Sequence, residues 1–309
     1  MVGDKSQNVE LTDHEAELYD RQIRLWGLES QKRLREAKIL LIGLNGYGAE
    51  IAKNIILAGV KAITFLDHRN VTVQDRCSQF LVPRESLGKN RAEASVQRAQ
   101  NLNPMVNVEA DTSNVDNKPD KYFSRFNVVC ATQCTITQIK RINEACRKHN
   151  VKFFSGDVWG SIGYTFADLM THEFLEIYKQ RKYKSQKAVN LCKRTNLKIS
   201  KDTFKLSILI LVMLNYREKY GKDPLPSERG SENFAAEAAA VIKKYDLEDK
   251  INYLVEADLY AQISPVCAIV GGIMGQEIIK TVSQKGTPHN NLFVFNPNTL
   301  CGKTLRLGQ

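Results

Sequence analysis

The sequence predicts an α/β fold built on a mostly parallel, doubly wound sheet with helices on both faces. Three observations carry that expectation. Short apolar runs alternate with longer stretches of helical periodicity, in βαβα order. The runs are apolar throughout, as strands buried on both faces are. The first of them, Ile39-Leu40-Leu41-Ile42, leads into Gly43-Leu44-Asn45-Gly46-Tyr47-Gly48, a glycine loop that opens a helix.

The elements follow from local signals. Thr12-Asp13-His14-Glu15 reads as a capping box, with Thr12 as cap and Glu15 reaching back. It opens a helix carrying Leu18, Tyr19, Ile23 and Leu25, which Gly27 ends. A strand is expected over 38–43, then a helix over 47–58 with Ala52, Ile55 and Ile56 on one face and Gly59 at its end. A strand over 62–66 runs into Asp67. A helix over 89–101, strands over 107–110 and 127–131, a helix over 136–148 and a strand over 151–155 complete the alternation. From about 175 to 205 the chain turns basic and irregular; helices resume over 203–219, 231–243 and 247–261. Pro265 to Lys280 forms a tightly packed helix, followed by a strand near 292–295. The organisation is a single domain over 1–309: a nucleotide-fold half (1–174), a basic connecting segment (175–205) and a helical part with a C-terminal strand that completes the domain (206–309).

A chain of 309 residues with 43% hydrophobic and 8% aromatic content can bury a sizeable core. The first seventeen residues hold acids and no apolar h-region. The run Leu206 to Leu214 is too short to span a bilayer, so a soluble intracellular protein is expected, with no membrane partner. The seven cysteines (77, 130, 134, 146, 192, 267, 301) form no C-x-x-C pair for zinc or redox work, and reduced thiols behaving as small buried hydrophobes are expected. Of the net charge of +10, the stretch Lys179 to Lys205 supplies +9. That distribution argues against a nucleic-acid face. It leaves a solvated connection, a nuclear import signal or a contact with an acidic partner as readings of one local segment.

A strand running into G-x-x-G-x-G and a helix aims backbone N–H groups and a helix N-terminus at a phosphate, and Asp67 lies where a ribose hydroxyl would be held. Gly43, Gly46, Gly48 and Asp67 are therefore the candidate nucleotide-binding residues. The competing reading is a tight turn that packs helix on strand. A dinucleotide-dependent oxidoreductase would share the same loop, although its glycine order differs and no hydride-site His or Tyr constellation is recognisable.

Tyr19-Asp20-Arg21-Gln22-Ile23-Arg24-Leu25-Trp26-Gly27, the glycine loop, Asn103-Pro104, Gly156-Asp157 and Pro265-Val266-Cys267 to Lys280 together resemble the adenylating enzymes that activate ubiquitin-like proteins and their bacterial sulfur-carrier relatives. The resemblance covers nearly the whole chain. The phrases YDRQIRLWG, NRAEASVQRAQNLNPMV, KFFSGDVWGSIGYTFADL and PHNNLFVF are most similar to the SUMO-activating branch, heterodimers whose larger subunit carries the chemistry. The resemblance implies a Rossmann-like adenylation fold, paired with a second copy about a pseudo-two-fold. It implies ATP and Mg²⁺ bound in a catalytic larger subunit, SUMO engaged through the complex, and a nuclear location with some cytoplasmic protein.

Against that family's pattern, the chain departs at the residues that do chemistry. Active members carry S-N-L-N-R-Q-F, whose Asn and Arg contact ATP; here Gln74-Asp75-Arg76-Cys77-Ser78-Gln79-Phe80 puts Asp75 and Ser78 at those places. A carboxylate about 4 Å from a phosphate costs roughly 1 kcal/mol in water and several times more in a cleft. The family's Lys is Arg91, a cation of different donor geometry, and its Mg²⁺ acid is Gln133. The chain's own cleft is thus expected to be degenerate, with no metal ligand and no tightly held cofactor. A free-standing homodimeric adenylating enzyme is the alternative, opposed by Asp75, Ser78 and Gln133. The resemblance makes Arg21 the residue that reaches ATP in the partner's site in trans, ahead of Arg24. The competing reading is a surface Arg paired with Asp20 or Glu17.

Overall fold

The computed structural model describes residues 11–176, 179–184, 201–228, 231–244, 259–297 and 299–306. An eight-stranded sheet carries the chain. Its parallel half holds β1 (Lys38–Ile42), β2 (Ala62–Leu66), β3 (Asn107–Asp111), β4 (Val128–Ala131) and β5 (Lys152–Trp159), in the order β3-β2-β1-β4-β5. Beyond β5 the sheet turns antiparallel through β6 (Ile162–Asp168). After the two-stranded hairpin of β7 (Thr171–Glu176) and β8 (Lys179–Lys184), β9 (Leu292–Asn296) and β10 (Cys301–Leu305) close its edge. The sheet is mostly parallel, as expected, and turns antiparallel toward one edge. The run at 151–155 continues to Trp159 and reverses at Gly160 (φ +52°) into β6, and neither β6 nor β10 was expected.

Helices cover both faces because the strands are apolar on both. In β1, Ile39 and Leu41 enter the core beneath α3 (Leu28–Glu36), α4 (Gly46–Leu57), α5 (Arg91–Leu102) and α10 (Ser264–Ser283). Leu40 and Ile42 enter the opposite core, with α6 (Asp120–Phe123), α7 (Ile136–Lys148), α8 (Lys201–Tyr220) and α9 (Glu232–Lys244). Strand order reverses between β1 and β4, the switch point at which open α/β sheets bind ligands.

Other departures have local causes. The Thr12 capping box forms, but the expected helix breaks at Tyr19 into α1 (Asp13–Leu18) and α2 (Asp20–Trp26). Tyr19 is buried: its ring lies on Gly59, where a Cβ would come within 2.5 Å, and its hydroxyl accepts from Asn103 Nδ2 at 2.9 Å. The chain turns there to seat the ring. α3 was not expected; it begins directly after Gly27. The basic segment is not irregular where it is described, since 179–184 pair as β8 and α8 begins at Lys201. The rest of that segment, and the expected helix over 247–258, lie outside the described residues; 259–261 are not helical.

The glycines of α10 mark a close helix crossing. A Cβ at Gly271 would sit 2.7 Å from Glu50 Cβ, and one at Gly275 would sit 2.7 Å from Asn54 Cβ, both on α4. Gly275→Ala is expected to lower stability by about 1–3 kcal/mol as the two helices are forced apart. Thermal melts check it, and an unchanged Tm would contradict the packing.

Candidate functional site

At the switch point β1 ends, Gly43 takes φ +85°, and α4 begins at Gly46 with Asn45 as cap, its Oδ1 accepting from the Gly48 amide at 2.9 Å. The fold brings Gly43, Gly46, Gly48 and Asp67 together as expected. It also gives the glycines a reason internal to the chain. A Cβ on Gly43 would meet Thr132 Oγ1 at 2.5 Å, one on Gly46 would meet Ser78 Oγ at 2.0 Å, and one on Gly48 would meet the Gly43 carbonyl oxygen at 2.2 Å. Close packing alone requires these glycines. Ser78, where the family has a phosphate-facing Arg, lies against the loop instead.

Two of the residues that depart from the family's pattern, Asp75 and Gln133, meet at the guanidinium of a third, Arg91. Arg91, on the first turn of α5 and 4% exposed, donates from Nε to Asp67 Oδ2 (2.8 Å), from Nη1 to Asp75 Oδ1 (3.0 Å) and from Nη2 to Gln133 Oε1 (2.5 Å). Asp67 also accepts from the backbone amides of Leu44 (2.7 Å) and Arg69 (3.0 Å). Asp75 Oδ2 accepts from the amide and hydroxyl of Thr72, at 2.8 and 2.9 Å. Burial alone would raise the Asp67 carboxyl, but Arg91 and Arg69 hold it below the usual carboxylate range. Burial likewise disfavours charge on Arg91, and Asp67 and Asp75 outweigh it to push the guanidinium up. The loop thus holds an internally neutralised set of charges.

Gln133 is held in turn. It adopts φ +53°, its amide donates to Asp157 Oδ1 at 3.0 Å and its carbonyl accepts from Arg69 Nη2 at 3.1 Å. Asp157 is buried against Arg217 of α8, whose Nη1 donates to Asp157 Oδ2 at 2.7 Å and to the Cys134 carbonyl at 3.2 Å. Nε and Nη2 of Arg217 fork onto Asp223 at 2.9 and 2.8 Å, and Trp159 Nε1 donates to the same carboxylate at 3.0 Å. Complete burial raises the Asp157 carboxyl against the pull of Arg217. Sequence reading missed Arg217. The signal was present: Ile210, Met213 and Arg217 share one helical stripe, so a cation falls where the period demands a core residue.

A cleft of about 500 Å³ opens over this network, between the Arg69–Ser78 segment and a wall that includes Trp159, Leu225 and Tyr260. The acids of this cleft are already engaged: Asp67 and Asp75 each accept hydrogen bonds on both oxygens, and the Arg91 guanidinium they share offsets their charge, which weakens their pull on a cation such as Mg²⁺. Among the described residues no group of three or more His, Cys, Asp or Glu is arranged to hold a metal ion. Cys130, Cys134, Cys146 and Cys267 are buried, and burial pushes the thiols of Cys134 and Cys267 up to about 12. Cys77 and Cys301 are exposed, and Cys192 lies outside the described residues.

Arg21 is not part of this cleft. It is exposed on α2, whose Gln22 donates to the Leu57 carbonyl at 2.9 Å, so it lies by the C-terminal end of α4. The glycine loop is at the other end of that helix, about 18 Å away along its axis. Arg24, not Arg21, pairs with Asp20, at 3.0 Å. Arg21 makes no ion pair or side-chain hydrogen bond among the described residues.

The sequence profile of the ThiF family matches residues 19–309. The chain is 42% identical to SUMO-activating enzyme subunit 1 of Xenopus laevis, over 94% of this chain and 95% of that protein. It is 40% identical to SUMO-activating enzyme subunit 1 of Homo sapiens, over 96% of each. Among solved structures it is similar to E. coli MccB, crystallised with succinimide, with a TM-score of 0.60 at 13% identity over 94% of this chain and 72% of that one. That likeness is one of fold.

Proposed function

The chain belongs to the ThiF family, and we propose that it is the regulatory subunit of a heterodimeric SUMO-activating enzyme, with its own adenylation cleft degenerate. In this reading the larger subunit binds ATP, Mg²⁺ and SUMO, adenylates the SUMO C-terminus and takes the modifier as a thioester on its own cysteine. The present chain completes the partner's cleft with Arg21 and supplies the scaffold for it. The names of its relatives support a place in SUMO activation.

The observation that carries the degenerate cleft is the Arg91 lock. Adenylation transfers an adenylyl group from ATP to a carboxylate and depends on positioned positive charge and Mg²⁺. Here Arg91, buried beside the glycine loop, is neutralised by Asp67 and Asp75, and Ser78 and Gln133 stand where the family has a phosphate-facing Arg and a Mg²⁺-binding acid. Support for a partner comes from apolar side chains left exposed on the N-terminal helices: Leu18 (51%), Leu25 (75%) and Leu28 (45%), on the elements that flank Arg21.

The isolated chain is expected to give no ATP–pyrophosphate exchange with Mg²⁺ and SUMO, while the reconstituted heterodimer gives robust exchange. Exchange by the chain alone would reject the degenerate cleft and mark a free-standing homodimeric enzyme instead. The complex is expected in the nucleus with some in the cytoplasm, with the Lys179 to Lys205 segment, ten basic residues against one acid, assisting import. Neutralising Lys179, Arg181, Lys182 and Lys184 should reduce nuclear accumulation and leave adenylation unchanged. Unaltered distribution by microscopy would remove that role.

A further inference from the structure

We propose that Arg76, Arg84 and Arg98, gathered around Phe80, form a docking site for an acidic segment of the catalytic partner subunit. The proposal rests on the heterodimer reading above. It starts from a hollow of about 190 Å³ on the far side of the Asp75 segment from the nucleotide loop, walled by the three arginines, Phe80, Val82 and Pro83. Among the described residues no carboxylate lies within ion-pair distance of any of the three guanidinium groups. The acid that lines the hollow, Asp75, is committed to Arg91 and Thr72. Three uncompensated cations around one hollow repel one another, and an arriving carboxylate relieves that repulsion.

The site is preorganised. Arg98 Nη1 donates to the carbonyls of Phe80 and Val82, at 2.9 and 3.3 Å, and Arg76 Nη2 donates to the Arg84 carbonyl at 3.4 Å. Two of the three long side chains are therefore held by the backbone they surround, which lowers the entropy cost of fixing them on a ligand. Arginine forks match carboxylates in a bidentate fashion. Phe80 is 39% exposed, and with Val82 and Pro83 it gives the hollow an apolar surface beside its cations. That combination fits an acidic segment carrying one aliphatic or aromatic side chain.

Continuity with the Arg21 helix identifies whose segment it is. Gln22 of α2 bonds the Leu57 carbonyl, Leu57 is exposed, and Lys53 lies one turn earlier on α4. Lys53 Nζ stands 5.6 Å from the Phe80 ring. One continuous surface thus runs from Arg21 along α4 to the arginine hollow. A subunit large enough to receive Arg21 in its ATP cleft lies along the same surface.

The test is titration of the intact chain against the catalytic subunit at low and at high ionic strength, for wild type, R76E/R84E and Phe80→Ala. R76E/R84E should weaken binding about tenfold or more at low salt, with the gap closing at high salt, whereas Phe80→Ala should weaken binding at both. If R76E/R84E melts below wild type, R76Q/R84Q is read in the same way. Wild-type affinity and salt dependence in a folded double variant would overturn the proposal. So would variants that keep wild-type affinity for the catalytic subunit but lose affinity for a labelled oligonucleotide, which would make the hollow a nucleic-acid site. Failure of the wild-type chain to bind the catalytic subunit at all would instead overturn the heterodimer reading.

Discussion

Heterodimers carrying Arg21→Ala are expected to assemble as wild type does and to form SUMO adenylate about 10-fold to 1,000-fold more slowly in single turnovers at saturating partner, the range for removing one preorganised charge donor. Assembly should survive because one exposed residue supplies little of a large interface. The chemistry should suffer because the guanidinium has nothing else to do. It makes no ion pair among the described residues, and it lies at the end of α4 remote from its own glycine loop. Lys at this position should recover part of the rate, since it keeps the charge and loses the fork. Arg24→Ala is the control: its guanidinium pairs with Asp20, so its loss should leave the rate near wild type. A wild-type rate for Arg21→Ala would leave the subunit as scaffold alone.

Arg91→Ala should have the opposite signature, a large loss of stability with little loss of chemistry. The substitution strands Asp67 and Asp75, 2% and 7% exposed, without their shared cation, at a cost of about 3–5 kcal/mol. That is a large share of the ~5–15 kcal/mol that holds a domain. In an active cleft the cation at this place would serve ATP, and its removal would cost rate. Here heterodimers that still assemble should keep the wild-type adenylation rate. Arg91→Lys should fall between, because an ammonium cannot fork onto Asp67, Asp75 and Gln133 together. The pH dependence gives a second reading. In wild type Arg91 and Arg69 outweigh burial and hold the Asp67 carboxyl below the usual carboxylate range, so its contribution is full above that range and is lost as pH falls through the folded value. In Arg91→Ala burial loses that counterweight, so the Asp67 carboxyl takes up its proton at higher pH than in wild type, and the gap between the two in urea melts should narrow as pH falls from neutrality through about 4. A variant with wild-type stability, or one that loses rate and keeps stability, would reject the lock.

How much was legible differs from element to element. α4, α7 and β2 were readable to within a residue because caps, glycines and periodicity agree locally. β6, β7, β8 and β10 were not. β6 and β10 are fixed by antiparallel pairing with β9, which lies more than a hundred residues from β6, and β7 and β8 pair with each other in a separate hairpin with no glycine turn to announce it. At the cleft, Asp67 was readable from its place at the end of β2, and Asp75, Ser78, Arg91 and Gln133 one by one as departures from a family pattern.

By itself the sequence determined the fold class and, through its resemblance to a family, which residues differ from that family's pattern, because strand period, glycine spacing and residue type are local properties. Only the tertiary structure decided what the replacements do to one another. Asp67, Asp75 and Gln133 are 24, 16 and 42 residues from Arg91, yet they share its guanidinium, and Arg217 reaches Asp157 from 60 residues away. Whether a substituted cation faces a ligand or is neutralised in place depends on which carboxylates the sheet's switch point brings within 3 Å of it, and that distance is set by the packing of strands and helices, which no single stretch of chain contains.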